Sequence, residues 1–188
     1  MVYGPKIDVR IPYEPGGRLG EDYNRIMATT PCEWVLFLDH DVLLALNPHW
    51  YHLCQKAIES HRFGLATCWT NAPHSNTGQQ WVSGAETMDE HRQIARNVHS
   101  QYGYTVTGLD KASGFFMLVN KQAWSEVGGF PGVGMFREDW QFCAKLRRKG
   151  WAIVRIDGLY VYHAKHRQES WIEGEDVTLD IKRREVRK

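Results

Sequence analysis

Residues 33–44 read Glu-Trp-Val-Leu-Phe-Leu-Asp39-His40-Asp41-Val-Leu-Leu, an apolar run that ends on two carboxylates one residue apart. Five consecutive apolar side chains from Trp34 to Leu38 leave no face for water. Such a segment reads as a strand buried on both sides, as in a parallel sheet covered by helices. Strands of that kind deliver ligand-binding groups at their carboxyl ends. Hard divalent ions such as Mg2+ and Mn2+ prefer carboxylate and phosphate oxygens, so Asp41, together with Asp39, is expected to bridge a metal to a diphosphate. The alternative is a solvated turn after the strand.

The rest of the chain predicts the frame around that strand. Lys6 to Pro12 has β-branched alternation, broken by Pro-Gly-Gly at 15–17, and Leu19, Tyr23, Ile26 and Met27 recur at helical spacing. Asn47-Pro48 supplies an N-cap and first-turn proline for a helix with Trp50, Leu53, Cys54, Ala57 and Ile58 on one face. Phe63 to Cys68 and Phe115 to Val119 read as further buried strands, and Trp151 to Ile156 and Leu159 to His163 as two more. A short helix is expected from an Asn120 cap to Val127, ended by Gly128-Gly129, and another from Glu138 to Lys149. Lys145, Arg147, Arg148 and Lys149 complement the dipole at the end of that helix and need no nucleic acid to explain them. Strands alternating with helices predict an α/β fold with a mostly parallel central sheet in one domain over residues 1–166. Between 70 and 110 turn formers dominate, with one helix near 86–98; this reads as a flexible loop that adapts to an acceptor. Residues 167–188 read as a tail.

A net charge of +1, from 23 basic and 22 acidic residues, provides no global field for nucleic acid. No apolar run is long enough to span a bilayer and the first residues lack a signal-peptide pattern, so the expected setting is cytoplasmic, with at most a peripheral membrane contact through the basic end of the tail. Cys32, Cys54, Cys68 and Cys143 have no metal-site spacing and read as free thiols in a reducing compartment.

Two further signals lie downstream. Glu138-Asp139 opens a helix after Gly-Val-Gly-Met-Phe-Arg, where backbone N–H groups favour an ionised carboxylate that can act as a base. His163 closes a strand in Val-Tyr-His-Ala-Lys-His. The ordered set, Asp-x-Asp after a buried strand, then Ser-Gly-Phe-Phe-Met-Leu-Val-Asn-Lys-Gln-Ala-Trp-Ser-Glu-Val-Gly-Gly-Phe at 113–130, then Glu-Asp-Trp opening a helix, then the strand-end histidine, resembles the family-2 glycosyltransferases of GT-A fold from Arg18 to His166.

That resemblance implies transfer of a sugar from a nucleotide diphosphate, UDP-linked in preference to GDP-linked, to a hydroxyl of a glycan, lipid-linked or protein acceptor. It further implies inversion at the anomeric carbon and a bound Mn2+ or Mg2+. By position, Asp41 would ligate the metal, Asp39 would support it or hold the ribose, and His163 would complete the site. His40 would be among the residues that bind the donor. Asp139 would be the base, with Glu138 the alternative. Pro12, Tyr13 and Glu14 would begin the nucleotide pocket, Arg18 and Asn24 would reach the nucleotide or its phosphates, and Ser113 and Gly114 would line the sugar pocket. Gly132-Val133-Gly134 would be a hinge, and Trp69, Trp81 and Trp140 are either core or sugar-stacking platforms. One departure is visible: longer relatives place an extra helix and strand after the first strand, whereas here Ile11-Pro12-Tyr13 runs almost directly into Gly16-Gly17-Arg18. Two rival readings share this architecture, a sugar-phosphate nucleotidyltransferase and a carbohydrate-binding module without turnover.

Overall fold

The computed structural model describes residues 4–13, 18–44, 46–73, 77–132 and 137–164. Glu14, Val133, Gly134 and the 167–188 tail lie outside them. In chain order the elements are β1 (Ile7–Arg10), α1 (Leu19–Thr29), β2 (Trp34–Leu38), β3 (Val42–Leu43), α2 (Trp50–Ser60), β4 (Leu65–Thr70), α3 (Met88–Tyr102), β5 (Val106–Leu109), β6 (Phe116–Asn120), α4 (Lys121–Glu126), α5 (Glu138–Arg148) and β7 (Ile153–His163).

The apolar run at 34–38 is β2, and its alternation explains why no polar residue interrupts it. Trp34, Leu36 and Leu38 pack on one face with Leu53, Cys54 and Ala57 of α2, while Val35 and Phe37 pack on the other with α1, α4 and α5. Burial of each such side chain contributes about 1.5–3 kcal/mol, so this strand anchors both layers. The strand order is β1-β2-β6-β4-β7-β3, with β5 also on β7. β1 and β2 pair parallel, as do β4 and β7. β6 runs antiparallel between β2 and β4, and β3 and β5 run antiparallel to β7. The class is the expected α/β; four strands share one direction and three oppose it, so the sheet is mixed.

Three local differences from expectation have clear causes. Residues 153–163 form one strand rather than two, because Asp157-Gly158 is a bulge: Thr67 pairs with Arg155 and Trp69 with Tyr160, so two steps of β4 face five of β7. Helix α2 starts at Trp50 with His49 as its cap, while the Asn47 carboxamide accepts the His49 N–H at 3.0 Å, one turn early. The 70–110 segment holds more regular structure than its composition suggests. A Thr87–Glu90 capping box starts α3, and Ala95 and Val98 of that helix pack on Tyr160 and Tyr162 of β7. Trp69 and Trp81 meet edge to face at 5.4 Å beside Tyr102, and the Arg155 guanidinium stacks 3.4 Å over Trp69. The other caps are as expected: Asn120 accepts the Ala123 N–H, and Gly128 and Gly129 close α4 with φ of 71° and 72°. All four cysteines are free. Among the described residues no helix is long and apolar enough to cross a membrane.

Candidate active site at the carboxyl edge of the sheet

The parallel strands β2 and β7 end at the same edge, and the chemistry gathers there. After β2 the chain turns through Asp39, His40 and Asp41, with the Val42 N–H donating to the Asp39 carbonyl at 3.2 Å. β3 then pairs Val42 with His163 at the end of β7, and the Ala164 N–H donates to the Asp41 carbonyl at 3.1 Å. This register brings together residues more than 120 positions apart. His163 Nε2 lies 3.3 Å from Asp41 Oδ1 and 3.7 Å from Asp39 Oδ2, and one ligand atom from each of the three falls within 4.8 Å of the others. His40 is exposed.

The surroundings of His163 fit a cation. Its Nδ1 lies 3.0 Å from the Ala72 carbonyl, an acceptor only, so Nδ1 carries a proton and Nε2 is the ring nitrogen that faces the two carboxylates. Two carboxylates and an imidazole nitrogen form a donor set suited to Mn2+ or Mg2+.

Residues 113–115 tie this group to a second one. The Phe115 ring stacks on His163 with centroids 5.5 Å apart, and the Phe115 carbonyl accepts the Asp39 N–H at 3.1 Å. The preceding Gly114 N–H donates to the carboxylate of Asp139, which also accepts the Trp140 N–H at 2.8 Å. A Cβ at Gly114 would sit 3.5 Å from Asp139 Oδ2, an ordinary van der Waals contact, so it is the Gly114 N–H rather than the missing side chain that serves Asp139. Burial raises the Asp139 pKa above the usual carboxylate value; the two backbone N–H groups act against that shift, and the charges of Glu138 and Asp39 add to it. Asp139 is thus close enough to Asp39 to sense its charge, so the acid pair and the metal-type cluster share one face.

Glu138, the first residue of α5, is buried, and its Oε1 has no hydrogen-bond partner among the described residues. Arg137 before it holds φ at 83°, a left-handed conformation that costs about 1–2 kcal/mol in a non-glycine residue. Tyr23 of α1 lies beneath the site, its hydroxyl pKa raised well above the ordinary value by burial and then by Asp39, Asp139, Glu138 and Asp22.

The remaining sequence-predicted residues divide. Ser113 is buried next to Gly114. Pro12 is half-buried and Tyr13 is exposed, with the Tyr13 N–H donating to Asp22 at 3.0 Å. Arg18 stands at the start of α1, exposed and 3.4 Å from Glu21. Asn24 is not brought to the site. Its Oδ1 accepts from Trp124 Nε1 and the Phe130 N–H, both at 2.8 Å, and its amide donates to the Phe130 carbonyl at 2.9 Å. Its carboxamide is a clamp between α1 and the turn after α4, so its hydrogen-bonding groups are engaged within the fold.

Two residues not singled out in the sequence hold the site from behind. Asn71 accepts the His163 N–H at 2.9 Å and donates to the His163 carbonyl at 3.1 Å, so its side chain pairs with β7 as a strand would. Gln79 does the same for Ser113, accepting its N–H at 2.7 Å and donating to its carbonyl at 3.4 Å, with a second donation to Thr67 at 2.6 Å. Asn71→Ala leaves both backbone groups of His163 without these partners. It is expected to lower unfolding free energy by about 1–3 kcal/mol, read as a reduced urea midpoint at unchanged slope.

The family model described as glycosyltransferase like family 2 matches residues 3–185. No curated protein matches the chain. Among solved structures it is similar to the mannosyltransferase PcManGT from Pyrobaculum calidifontis in complex with GDP-Man and Mn2+, at 14% identity and a TM-score of 0.46. The similarity covers 87% of this chain and 39% of that one, so this chain spans well under half the length of that relative.

Proposed function

Since the chain belongs to the glycosyltransferase family 2-like proteins, we propose that it moves a sugar from a nucleotide-diphosphate donor to an acceptor hydroxyl, with inversion, in a reducing cytoplasmic setting that its four free thiols suit. The observation that carries this reading is the joint placement of the Asp39, Asp41 and His163 cluster and the Gly114-held Asp139 on one sheet edge. Asp41, Asp39 and His163 would hold Mn2+ or Mg2+, which supplies neutralising charge to a departing diphosphate. Pro12, Tyr13 and Arg18 stand on the nucleotide side, and Ser113 and Gly114 on the sugar side.

Asp139 takes the proton of the acceptor hydroxyl as that oxygen bonds to the anomeric carbon. The bond from that carbon to the diphosphate oxygen breaks on the opposite face, and the nucleoside diphosphate leaves with the electron pair. Glu138 is too enclosed to meet an acceptor first, and it supports the site by raising the proton affinity of Asp139.

A panel of UDP- and GDP-sugars with Mn2+ or Mg2+, read by mass spectrometry, is expected to release nucleoside diphosphate, and EDTA is expected to stop that release. Pyrophosphate formed from a sugar phosphate and a nucleoside triphosphate would favour the nucleotidyltransferase instead. No product from either set would leave a binding module.

A further inference from the structure

β1 is the outermost strand at one end of the sheet, paired only with β2 among the described residues. Val9, Ile11 and Tyr13 alternate along this strand and its continuation, with 39%, 58% and 81% exposure. They are three of the six exposed large apolar residues on the described surface. The Ile7 N–H goes to the Tyr51 hydroxyl at 3.2 Å rather than to β2. Backbone groups two residues apart in a strand point the same way, so Val9 also turns its N–H and C=O away from β2.

Exposed strand edges are normally blunted by charge. Here the charges are arranged to cancel. Ile7-Asp8-Val9-Arg10-Ile11 is symmetric in its apolar residues and antisymmetric in charge about Val9. Laid antiparallel on itself, the strand sets Val9 against Val9 as a hydrogen-bonded pair and Asp8 against Arg10 twice, while the Ile7 N–H keeps the Tyr51 hydroxyl as its acceptor. Asp8 and Arg10 already meet within one strand at 2.9 Å, and the Arg10 side chain is half exposed, free to turn to a second Asp8.

We propose that β1 is a self-association edge, through which two copies of this chain join antiparallel about Val9 into one continuous sheet. The proposal rests on this strand and not on the reaction above. A ladder this short falls below the ~1,200–2,000 Å² of a tight interface, so the dimer is expected to form with rising concentration.

Sedimentation equilibrium from about 5 to about 500 μM is the test, a range set for a weak interface. Wild type is expected to pass from monomer to dimer, with the Val9 amide gaining protection from hydrogen exchange over the same range. Arg10→Asp and Asp8→Arg each place like charges opposite one another twice and are expected to weaken the dimer about tenfold or more. The double reversal Asp8→Arg with Arg10→Asp rebuilds the antisymmetry and should restore it, which separates lost pairing from lost folding. A wild type that stays monomeric, a single reversal that associates as well as wild type, or a double reversal that folds but stays monomeric overturns the proposal.

Discussion

Asp139→Asn is expected to lower kcat for sugar transfer by about 10²- to 10⁴-fold, the range for loss of a positioned base. Donor and Mn2+ dissociation constants should stay within about twofold, because Asp139 touches Gly114 and Trp140 rather than the metal-type cluster. The pH profile gives the sharper test. A base must be unprotonated, so kcat rises as pH climbs through its pKa. Burial raises the Asp139 pKa above its ordinary 3.8, which places the acid limb at higher pH than a solvated aspartate would give. The Glu138 charge pushes in the same direction, so Glu138→Gln should move that limb toward lower pH while transfer persists. A wild-type rate from Asp139→Asn would remove the assignment. An unmoved limb in a folded Glu138→Gln would remove the coupling between the two acids.

The parts of this site that were legible in the sequence are those whose meaning is local. Asp39 and Asp41 follow an apolar run whose burial on both faces is dictated by its own side chains, and Glu138-Asp139 opens a helix marked by its own periodicity. His163 depends on distance: only the two-residue strand β3, too short to announce itself, sets Val42 opposite it. Asn71 and Gln79 were hidden for a stronger reason. A carboxamide that pairs with a backbone has no characteristic spacing, and its partner is fixed by sheet register 34 to 92 residues away. The same blindness hid the partner of Asn24, which stands on the helix leading into Asp-x-Asp and commits its amide to a turn 106 residues on. The break expected between Ile156 and Leu159 is a bulge instead, because β4 pairs with β7 on both sides of it, at Arg155 and again at Tyr160.

The second large effect is expected at Asp41. Its side chain is 17% exposed against 39% for Asp39, and it is the carboxylate nearer to His163 Nε2. Asp41→Ala should therefore weaken Mn2+ binding by more than the ~10–100-fold typical of losing an outer partner of a ligand. Metal-dependent donor turnover should fall to background. Stability separates this from general damage. Without a cation, the Asp39 and Asp41 carboxylates face one another with oxygens within 4.8 Å, and like charges that close repel. Removing one carboxylate relieves that repulsion, so the metal-free variant should melt no lower than metal-free wild type. Adding Mn2+ should raise the wild-type melting temperature by mass action and leave the variant unmoved. Calorimetric titration and thermal melts with and without Mn2+ read both quantities. An Asp41→Ala protein that still bound Mn2+ tightly and melted higher with it would place the ion elsewhere, and the reaction proposed for this edge would lose its leaving-group support.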